Sequence, residues 1–176
     1  QNYRANPEDR CFFCKEELYR RLKDYAARDN FFHILDGTNI TDLKGHRPGL
    51  KALRQAEIKA PYLDLNIDKE NIRAMAQHFG LNIAVKPQAA CLASRIPAGM
   101  PIDLETMRRV DQAEIFLKTL GLTNPRVRFH GDLARLHLNR ADSIVSMEQR
   151  EKILEGLQAL GFQYVTLDFK IYDREG

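Results

Sequence analysis

Apolar and polar positions in the first half of the chain alternate between helical and strand-like spacing. The apolar run 31–37, FFHILDG, ends in a polar loop, and YLDL forms a second short apolar run. Asp68 can cap a helix that Gly80 ends, with Ile72, Met75, Ala76 and Phe79 on one face. The predicted elements are helices over 12–28, 50–58 and from 69 onward, and strands over 31–37 and 62–65.

This order of helices and strands predicts an α/β fold with a parallel sheet. In such sheets ligands bind beyond the carboxyl ends of the strands. The loops over 36–49 and 86–99 are therefore the expected ligand loops.

The second half of the chain follows a different pattern, which predicts a small α+β domain. Apolar residues at helical spacing cover 103–120, and PRVRFH and LARLHL alternate about Gly131 and Asp132 as in a hairpin. Ser146 and Gln149 form a potential capping box for another helix, which YVTLDF follows as a strand. Leu120-Gly121 and Leu160-Gly161 mark two similar helix-then-strand units. The expected domains are 1–97 and 98–176.

Composition narrows the class of protein. The 176 residues are 44% hydrophobic and 29% charged, with no apolar run long enough to cross a bilayer and no signal-peptide pattern, so a cytoplasmic globular protein is expected. The net charge of +3 is spread along the chain. This distribution favours small anionic ligands over nucleic acid.

The three cysteines are the first candidates for chemistry. Cys11 and Cys14 form a C-x-x-C pair, and Cys91 lies in a loop without regular periodicity. Such a pair serves as a redox dithiol, as half of a zinc site or as part of an iron–sulfur site. Zinc would need a histidine as its fourth ligand, whereas three thiolates on a 4Fe–4S cluster would leave one iron open. The residues alone leave three interpretations open: a cluster or catalytic thiol, a zinc site, or thiols that are unrelated to one another.

Five segments carry a resemblance to a known family: NPEDRCFFCK, LDGTNITD with HRPGLKA, PYLDLNIDKENIRAMA, CLASRIPAG and RVRFHGDLARL. In this order they resemble the LarE-type ATP-dependent sulfur transferases of the PP-loop superfamily of ATP pyrophosphatases. The resemblance implies that residues 1–97 form the C-terminal part of a PP-loop nucleotide-binding domain. Residues 98–176 would then bind substrate and form the oligomer.

The resemblance also implies a reaction. The family adenylylates a carboxylate of a nicotinate-derived pyridinium mononucleotide and replaces the adenylate with sulfur, on the way to a nickel-pincer cofactor. In one-cysteine members the residue at the Cys91 position gives up its own sulfur. Three-cysteine members hold a 4Fe–4S cluster that carries the sulfide, and Cys11, Cys14 and Cys91 match that type. Cys91 is therefore expected to be a cluster ligand, with direct sulfur donation as the second choice.

Further site residues are expected from the same resemblance. Ser94 and Arg95 would bind phosphate, since an arginine can hold it by two points. ATP and Mg²⁺ would be positioned by Asp36, Asn39, Asp42 and Arg47. The family more often has two acidic residues in place of Thr41 and Asp42, which weakens the metal role of Asp42.

One set of candidates follows from periodicity as well. Alternation places Arg126, Arg128 and His130 on one strand face, and Arg135 and His137 face the same way across the turn. Glu114 lies on the apolar stripe of the preceding helix, where a carboxylate is costly unless paired, so the strand arginines are its expected partners. The resemblance gives Arg126 and Arg128 the substrate's phosphate and carboxylate, and makes Glu114 orient them or help hold a metal.

The chain also departs from the family. No Ser-Gly-Gly-x-Asp-Ser phosphate loop occurs in the sequence, His137 stands where an acid is expected, and IYDREG differs from the usual glycine-rich end. The ATP site is therefore expected to be incomplete in this chain, with the phosphate loop in an omitted segment or on a separate chain. Two alternatives stay open: a tRNA-thiolating PP-loop enzyme, and a non-catalytic zinc-stabilised partner domain.

Overall fold

The structure, a computed structural model, describes residues 2–45, 47–85 and 90–171. His46, residues 86–89 of the second predicted ligand loop, and residues 172–176, which include most of IYDREG, lie outside the described residues. The helices are α1 (Arg10–Arg28), α2 (Pro48–Gln55), α3 (Pro61–Asp64), α4 (Lys69–His78), α5 (Leu104–Thr119), α6 (Arg140–Glu148) and α7 (Arg150–Ala159). The strands are β1 (Arg126–His130), β2 (Leu133–His137) and β3 (Tyr164–Leu167), and 3₁₀ turns cover Ile40–Leu43, Asn82–Val85 and Leu92–Arg95. None of the helices in these ranges is long and apolar enough to span a membrane.

The chain divides into two compact units. Unit 1 contains residues 1–3 and 7–86, and unit 2 contains residues 4–6 and 87–176. The division falls earlier than the predicted boundary after residue 97. Residues 4–6 belong to unit 2 although the segment after them belongs to unit 1.

Unit 1 is mainly helical. Its core lies between α1 and α2, where Tyr19 and Ala52 are almost fully buried and Leu53, Ile58 and Ala60 complete the cluster. The predicted cap of α4 is confirmed, since the Asp68 side chain accepts a hydrogen bond from the backbone N–H of Asn71 at 2.8 Å.

The two strands predicted in unit 1 are wrong. The segment over 31–37 is extended but makes one parallel bridge, between Leu35 and Lys59, and belongs to no strand. The segment YLDL lies in helix α3, which Pro61 begins. Proline fixes a helical φ at the first position of a helix. The extended stretch at Lys59 therefore ends too soon to form a ladder with residues 31–37.

Unit 2 contains a three-stranded sheet in the order β1-β2-β3. Strands β1 and β2 form the predicted antiparallel hairpin, and β2 and β3 pair in parallel. One face of the sheet packs on α5 and α7, around fully buried residues such as Val127, Ala134 and Leu157. The α+β prediction for this half is confirmed.

The predicted capping box at Ser146 is wrong. The backbone is already helical there, because Asn139 caps α6 earlier by accepting a bond from the N–H of Asp142 at 2.8 Å. The Ser146 hydroxyl donates to the carbonyl of Ser143 within that helix. The Gln149 side chain donates to the carbonyl of Leu120 at 2.8 Å and fixes the junction between α6 and α7.

The two similar helix-then-strand units are confirmed. Gly121 and Gly161 follow α5 and α7 with φ of 93° and 90°, the left-handed conformation that ends helices and favours glycine. The next residues, Leu122 and Phe162, are 2% and 1% exposed. Both return to the shared core and lead the chain to β1 and β3.

Candidate active site

The outer face of the sheet in unit 2 carries a concentration of positive charge. Arg126 lies opposite His137 and Arg128 lies opposite Arg135 in the β1–β2 register, so all four side chains share one face. We call these four residues the cationic face. The opposite face carries Val127, Ala134 and Leu136, which are buried. The predicted alternation along both strands is confirmed.

Burial and neighbouring positive groups disfavour the charged form of Arg128. Burial lowers the pKa of Arg128, and the neighbouring charges of Arg135, Arg95 and Arg126 lower it further, while Asp168 opposes them. Nearby like charges disfavour one another's charged form, a cost that a bound anion would relieve. The cationic face is therefore suited to an anionic ligand.

His137 is part of the same arrangement. It is 7% exposed, and its Nδ1 atom lies 3.4 Å from Nη2 of Arg128. Burial lowers the pKa of His137, and the charge of Arg128 lowers it further. Asp168 brings a carboxylate to the edge of this face, 3.5 Å from Nε of Arg135.

Glu114 connects the sheet to the turn that carries Cys91. Its Oε1 atom accepts bonds from Nε of Arg95 at 2.6 Å and from the backbone N–H of Val127 at 3.0 Å. Its Oε2 atom accepts from Nη2 of Arg95 at 3.3 Å. Val127 lies between the two arginines of β1, so one carboxylate fixes both the Cys91 turn and the backbone of the cationic face.

The partner of Glu114 corrects the prediction, which expected the strand arginines. The side chain that donates to Glu114 is that of Arg95. The strand arginines point to the outer face of the sheet, whereas Glu114 approaches the sheet from α5 on the opposite face. The pair is a buried one, with side chains 7% and 9% exposed. Such a pair needs additional hydrogen bonds to offset desolvation. The Val127 N–H and the Ser94 hydroxyl, 3.0 Å from Nη1 of Arg95, supply them.

The predicted phosphate ligand Arg95 thus lies next to the cationic face but already has a carboxylate partner. Cys91 is exposed and precedes the 3₁₀ turn Leu92–Arg95, and its carbonyl accepts a bond from the Ser94 N–H at 2.9 Å. Unit 2 therefore brings together Cys91, Ser94, Arg95, Glu114, Arg126 and Arg128 on adjoining segments.

The other two cysteines lie in the first two turns of α1 in unit 1. Cys11 and Cys14 are exposed and form no disulfide, as is also true of Cys91. Their spacing of three residues places both thiols on one side of the helix, near its N-terminus. Among the described residues, no three His, Cys, Asp or Glu side chains converge as a metal-binding group.

Asp36 is the centre of a polar network in unit 1. Its Oδ2 atom accepts bonds from Tyr19 at 2.8 Å and Lys15 at 3.1 Å, and Oδ1 accepts from the N–H and hydroxyl of Thr38. Burial raises the pKa of Asp36, but these bonds outweigh it and lower the pKa to about 2. Both carboxylate oxygens are occupied, so direct coordination of Mg²⁺ would have to replace one of these donors.

The remaining predicted nucleotide residues lie in the next turn. Asn39 caps the 3₁₀ turn by accepting from the N–H of Thr41 at 3.0 Å, and Asp42 accepts from the Asn39 side chain at 2.9 Å. Nη2 of Arg47 lies 3.5 Å from Oδ1 of Asp42. The side chains of this loop thus hold it in place. Ordinary turns that bind no nucleotide show the same kind of contacts.

Sequence reasoning missed three polar residues around these sites. Lys15 and Tyr19 are one helical turn apart, and this spacing placed both on the side of α1 that meets Asp36. Asp168 follows β3 at alternate spacing from Thr166, which was the available signal for its position on the outer face.

Fold and site together define an α+β unit in which Glu114 joins the cationic face to the turn that follows the exposed Cys91. No protein-family model matches the chain. The chain is 36% identical over 163 residues to pyridinium-3,5-bisthiocarboxylic acid mononucleotide synthase of Lactiplantibacillus plantarum, covering 93% of this chain and 59% of the synthase. An uncharacterised protein of Synechocystis is 39% identical over 173 residues, covering 97% of this chain and 65% of that protein. An uncharacterised protein of Methanocaldococcus jannaschii is 30% identical over 167 residues, covering 95% of this chain and 65% of that protein. The chain spans less than two thirds of each of these relatives.

Proposed function

We propose that this chain is part of a LarE-type ATP-dependent sulfur transferase that acts on a carboxylate of a pyridinium mononucleotide in nickel-pincer cofactor biosynthesis. The observation that carries the proposal is the bridge formed by Glu114. It joins the turn of Cys91 and Arg95 to the backbone of the cationic face. The similarity to a synthase named for a bisthiocarboxylic acid mononucleotide supports the same assignment.

The cationic face would bind the substrate. A pyridinium mononucleotide carries a phosphate and carboxylates, and Arg126 and Arg128 offer planar donor groups for two-point contacts with such anions. Because burial and neighbouring charges lower the pKa of Arg128, an anion bound there would gain more than at an isolated arginine. Glu114 would act by orientation, since it holds the Val127 N–H between the two arginines.

The proposed reaction has two steps. A substrate carboxylate oxygen attacks the α-phosphorus of ATP, pyrophosphate leaves, and an acyl adenylate forms. Sulfide then attacks the carbonyl carbon, AMP leaves, and a thiocarboxylate remains. Activation is required because a free carboxylate is a poor electrophile. Ser94 and Arg95 would lie beside the adenylate phosphate, although Arg95 would have to share its donors with Glu114.

The three thiols fit a 4Fe–4S cluster in their donor chemistry. Cys11, Cys14 and Cys91 are all exposed and outside any disulfide, and thiolates are the usual ligands of such clusters. When bound, the cluster would supply the sulfide at its open iron. Direct sulfur donation by Cys91 is the second form of the proposal.

The ATP side of the proposal rests on the loop of unit 1. Asp36, Asn39, Asp42 and Arg47 would position the nucleotide and Mg²⁺, with Lys15 beside Asp36 as an additional cation. A phosphate loop would come from a segment outside these 176 residues, on the same polypeptide or another chain. A homo-oligomer in the cytoplasm that binds neither membrane nor nucleic acid completes the proposal.

Metal analysis tests the cluster. Protein reconstituted with iron and sulfide without oxygen is expected to bind about four irons per chain, and Cys11→Ala, Cys14→Ala or Cys91→Ala should remove them. Stoichiometric zinc without iron would instead favour the zinc-stabilised partner domain. Binding of tRNA by the reconstituted protein would favour the tRNA-thiolating alternative.

Ligand binding tests the cationic face. Arg126→Ala and Arg128→Ala are each expected to abolish binding of nicotinate mononucleotide in calorimetry, with the thermal unfolding curve unchanged. Arg21→Ala on the exposed surface of α1 is the matched control and should bind normally. Unchanged affinity in both strand variants would refute the substrate role.

A further inference from the structure

The short segment before the C-x-x-C pair is built into unit 2. Residues 4–6 belong to that unit, whereas residue 7 and those after it belong to unit 1. The carbonyl of Arg4 accepts a bond from the N–H of Ile102, and the carbonyl of Asn6 accepts from the N–H of Gly99, each at 2.8 Å. The segment is thus fixed by pairing with residues 96–102.

Asn6 is the most constrained residue of this segment. Its exposure is 0%, and its φ of 52° is left-handed, a conformation that asparagine tolerates better than most residues. Its Nδ2 atom donates to the carbonyl oxygens of Pro97 at 2.7 Å and Met100 at 2.9 Å, with that of Ile96 at 3.4 Å. Three carbonyls therefore face one amide group.

These carbonyls follow directly after the turn of Cys91 and Arg95. Ile96 closes that turn, because its N–H donates to the carbonyl of Ala93 at 3.2 Å. Both Ala93 and Ile96 are buried, at 0% and 2% exposure. The turn is thus held at two places: Glu114 of α5 binds the Arg95 side chain, and Asn6 binds the backbone immediately after Arg95.

We infer that Asn6 is a positioning residue that fixes the Cys91–Arg95 turn for sulfur transfer. Its contribution to the geometry of the turn follows from the contacts above. Its contribution to the reaction rests on the proposed function, in which Cys91 binds the cluster. Partners that orient metal ligands without touching the metal affect metal affinity about 10–100-fold.

Two substitutions separate the hydrogen bonds from the backbone conformation. Asn6→Gly permits the left-handed φ but removes the amide. Asn6→Asp keeps the shape but places a carboxylate against three carbonyls, which is unfavourable. Asn66→Asp is the matched control, because Asn66 has a φ of 53° and is exposed.

Hydrogen exchange of the metal-free chain tests the structural part. Both Asn6 variants are expected to speed amide exchange in the peptide over 92–102 by about tenfold or more, the effect of losing one or two net hydrogen bonds. Exchange in the peptide over 126–137 should stay slow and shows that unit 2 is folded. Unchanged exchange over 92–102 in a folded variant would overturn the inference.

Iron binding tests the functional part. After anaerobic reconstitution both variants are expected to hold iron about tenfold more weakly than the wild type, while Asn66→Asp binds normally. Faster exchange with wild-type iron affinity would make Asn6 merely structural and overturn its positioning role. Failure of the wild type to bind iron would refute the proposed cluster and this functional part, and the exchange data would still decide the contacts of Asn6.

Discussion

Glu114→Gln is the most informative change to unit 2, because it removes one charge of a buried pair and leaves the volume almost unchanged. The Arg95 side chain is 7% exposed and its partner 9%, so the guanidinium would be left buried without a counter-charge. Breaking such a pair typically costs about 3–5 kcal/mol. The glutamine oxygen can still accept from the Val127 N–H, so we expect about 3 kcal/mol, the lower end of that range.

This loss is large against the stability of a small domain, about 5–15 kcal/mol. With a urea dependence of about 1–3 kcal/mol per molar, the unfolding midpoint of unit 2 should fall by about 1–3 M. Amide exchange of the β1–β2 peptide during urea titration reports on this unit separately from unit 1. Glu114→Ala would in addition leave the Val127 N–H without its acceptor and is expected to be worse.

Two controls test the reasoning. Glu17→Gln neutralises an exposed carboxylate that pairs with Arg20 and Arg21 on α1. The urea midpoint of unit 1, which contains α1, should not move measurably, because exposed pairs are weak. The double variant Arg95→Met with Glu114→Leu should recover part of the lost stability, because apolar replacement removes both desolvated charges but leaves the Val127 N–H without its acceptor. A Glu114→Gln midpoint equal to that of the wild type would show that the pair does not hold the turn to the sheet.

Three further predictions concern single positions. Asp36→Asn should remove an acid-dependent part of the stability. The wild-type carboxylate stabilises the fold fully above its ordinary pKa of 3.8 and loses this contribution as pH falls through about 2. The free energies of unfolding of wild type and variant, followed against pH, should therefore converge over that interval, and a constant difference between them would contradict the argument. Gly156→Ala should destabilise by about 1–3 kcal/mol in urea unfolding, because a Cβ there would overlap the ring of Phe116; Phe116→Leu should relieve the loss, and a stabilised single variant would refute the clash. Arg128→Lys should weaken nicotinate mononucleotide binding about tenfold in calorimetry, because lysine keeps the charge but loses the two-point contact; equal affinity would exclude that contact.

The sequence predicted local features best where side-chain spacing and a terminating residue agreed. The β1–β2 hairpin has strict alternation on both sides of Gly131, and α5 combines an apolar stripe with Gly121 after it. The predictions that were wrong came from competition between neighbouring local signals. Pro61 began a helix where YLDL had been expected to extend, and Asn139 capped α6 ahead of Ser146.

In the candidate site, too, residue spacing predicted which side chains share a face but not which partners they contact. Periodicity alone placed Arg126 and Arg128 on one face and showed that Glu114 needed a partner. That the partner is Arg95, and that the same carboxylate binds the backbone of β1, depended on contacts between residues 13 to 19 positions apart.

Other contacts were decided by tertiary structure alone. The three carbonyls at Asn6 come from residues 90 to 94 positions away, and the four donors on Asp36 combine a helix with a loop. Spacing along a chain determines which side chains share a helix or strand face, because that follows from the 3.6 and 2.0 periodicities of the backbone. Which faces meet depends on how the elements pack, and a buried carboxylate or amide takes the donors or acceptors that packing brings within reach.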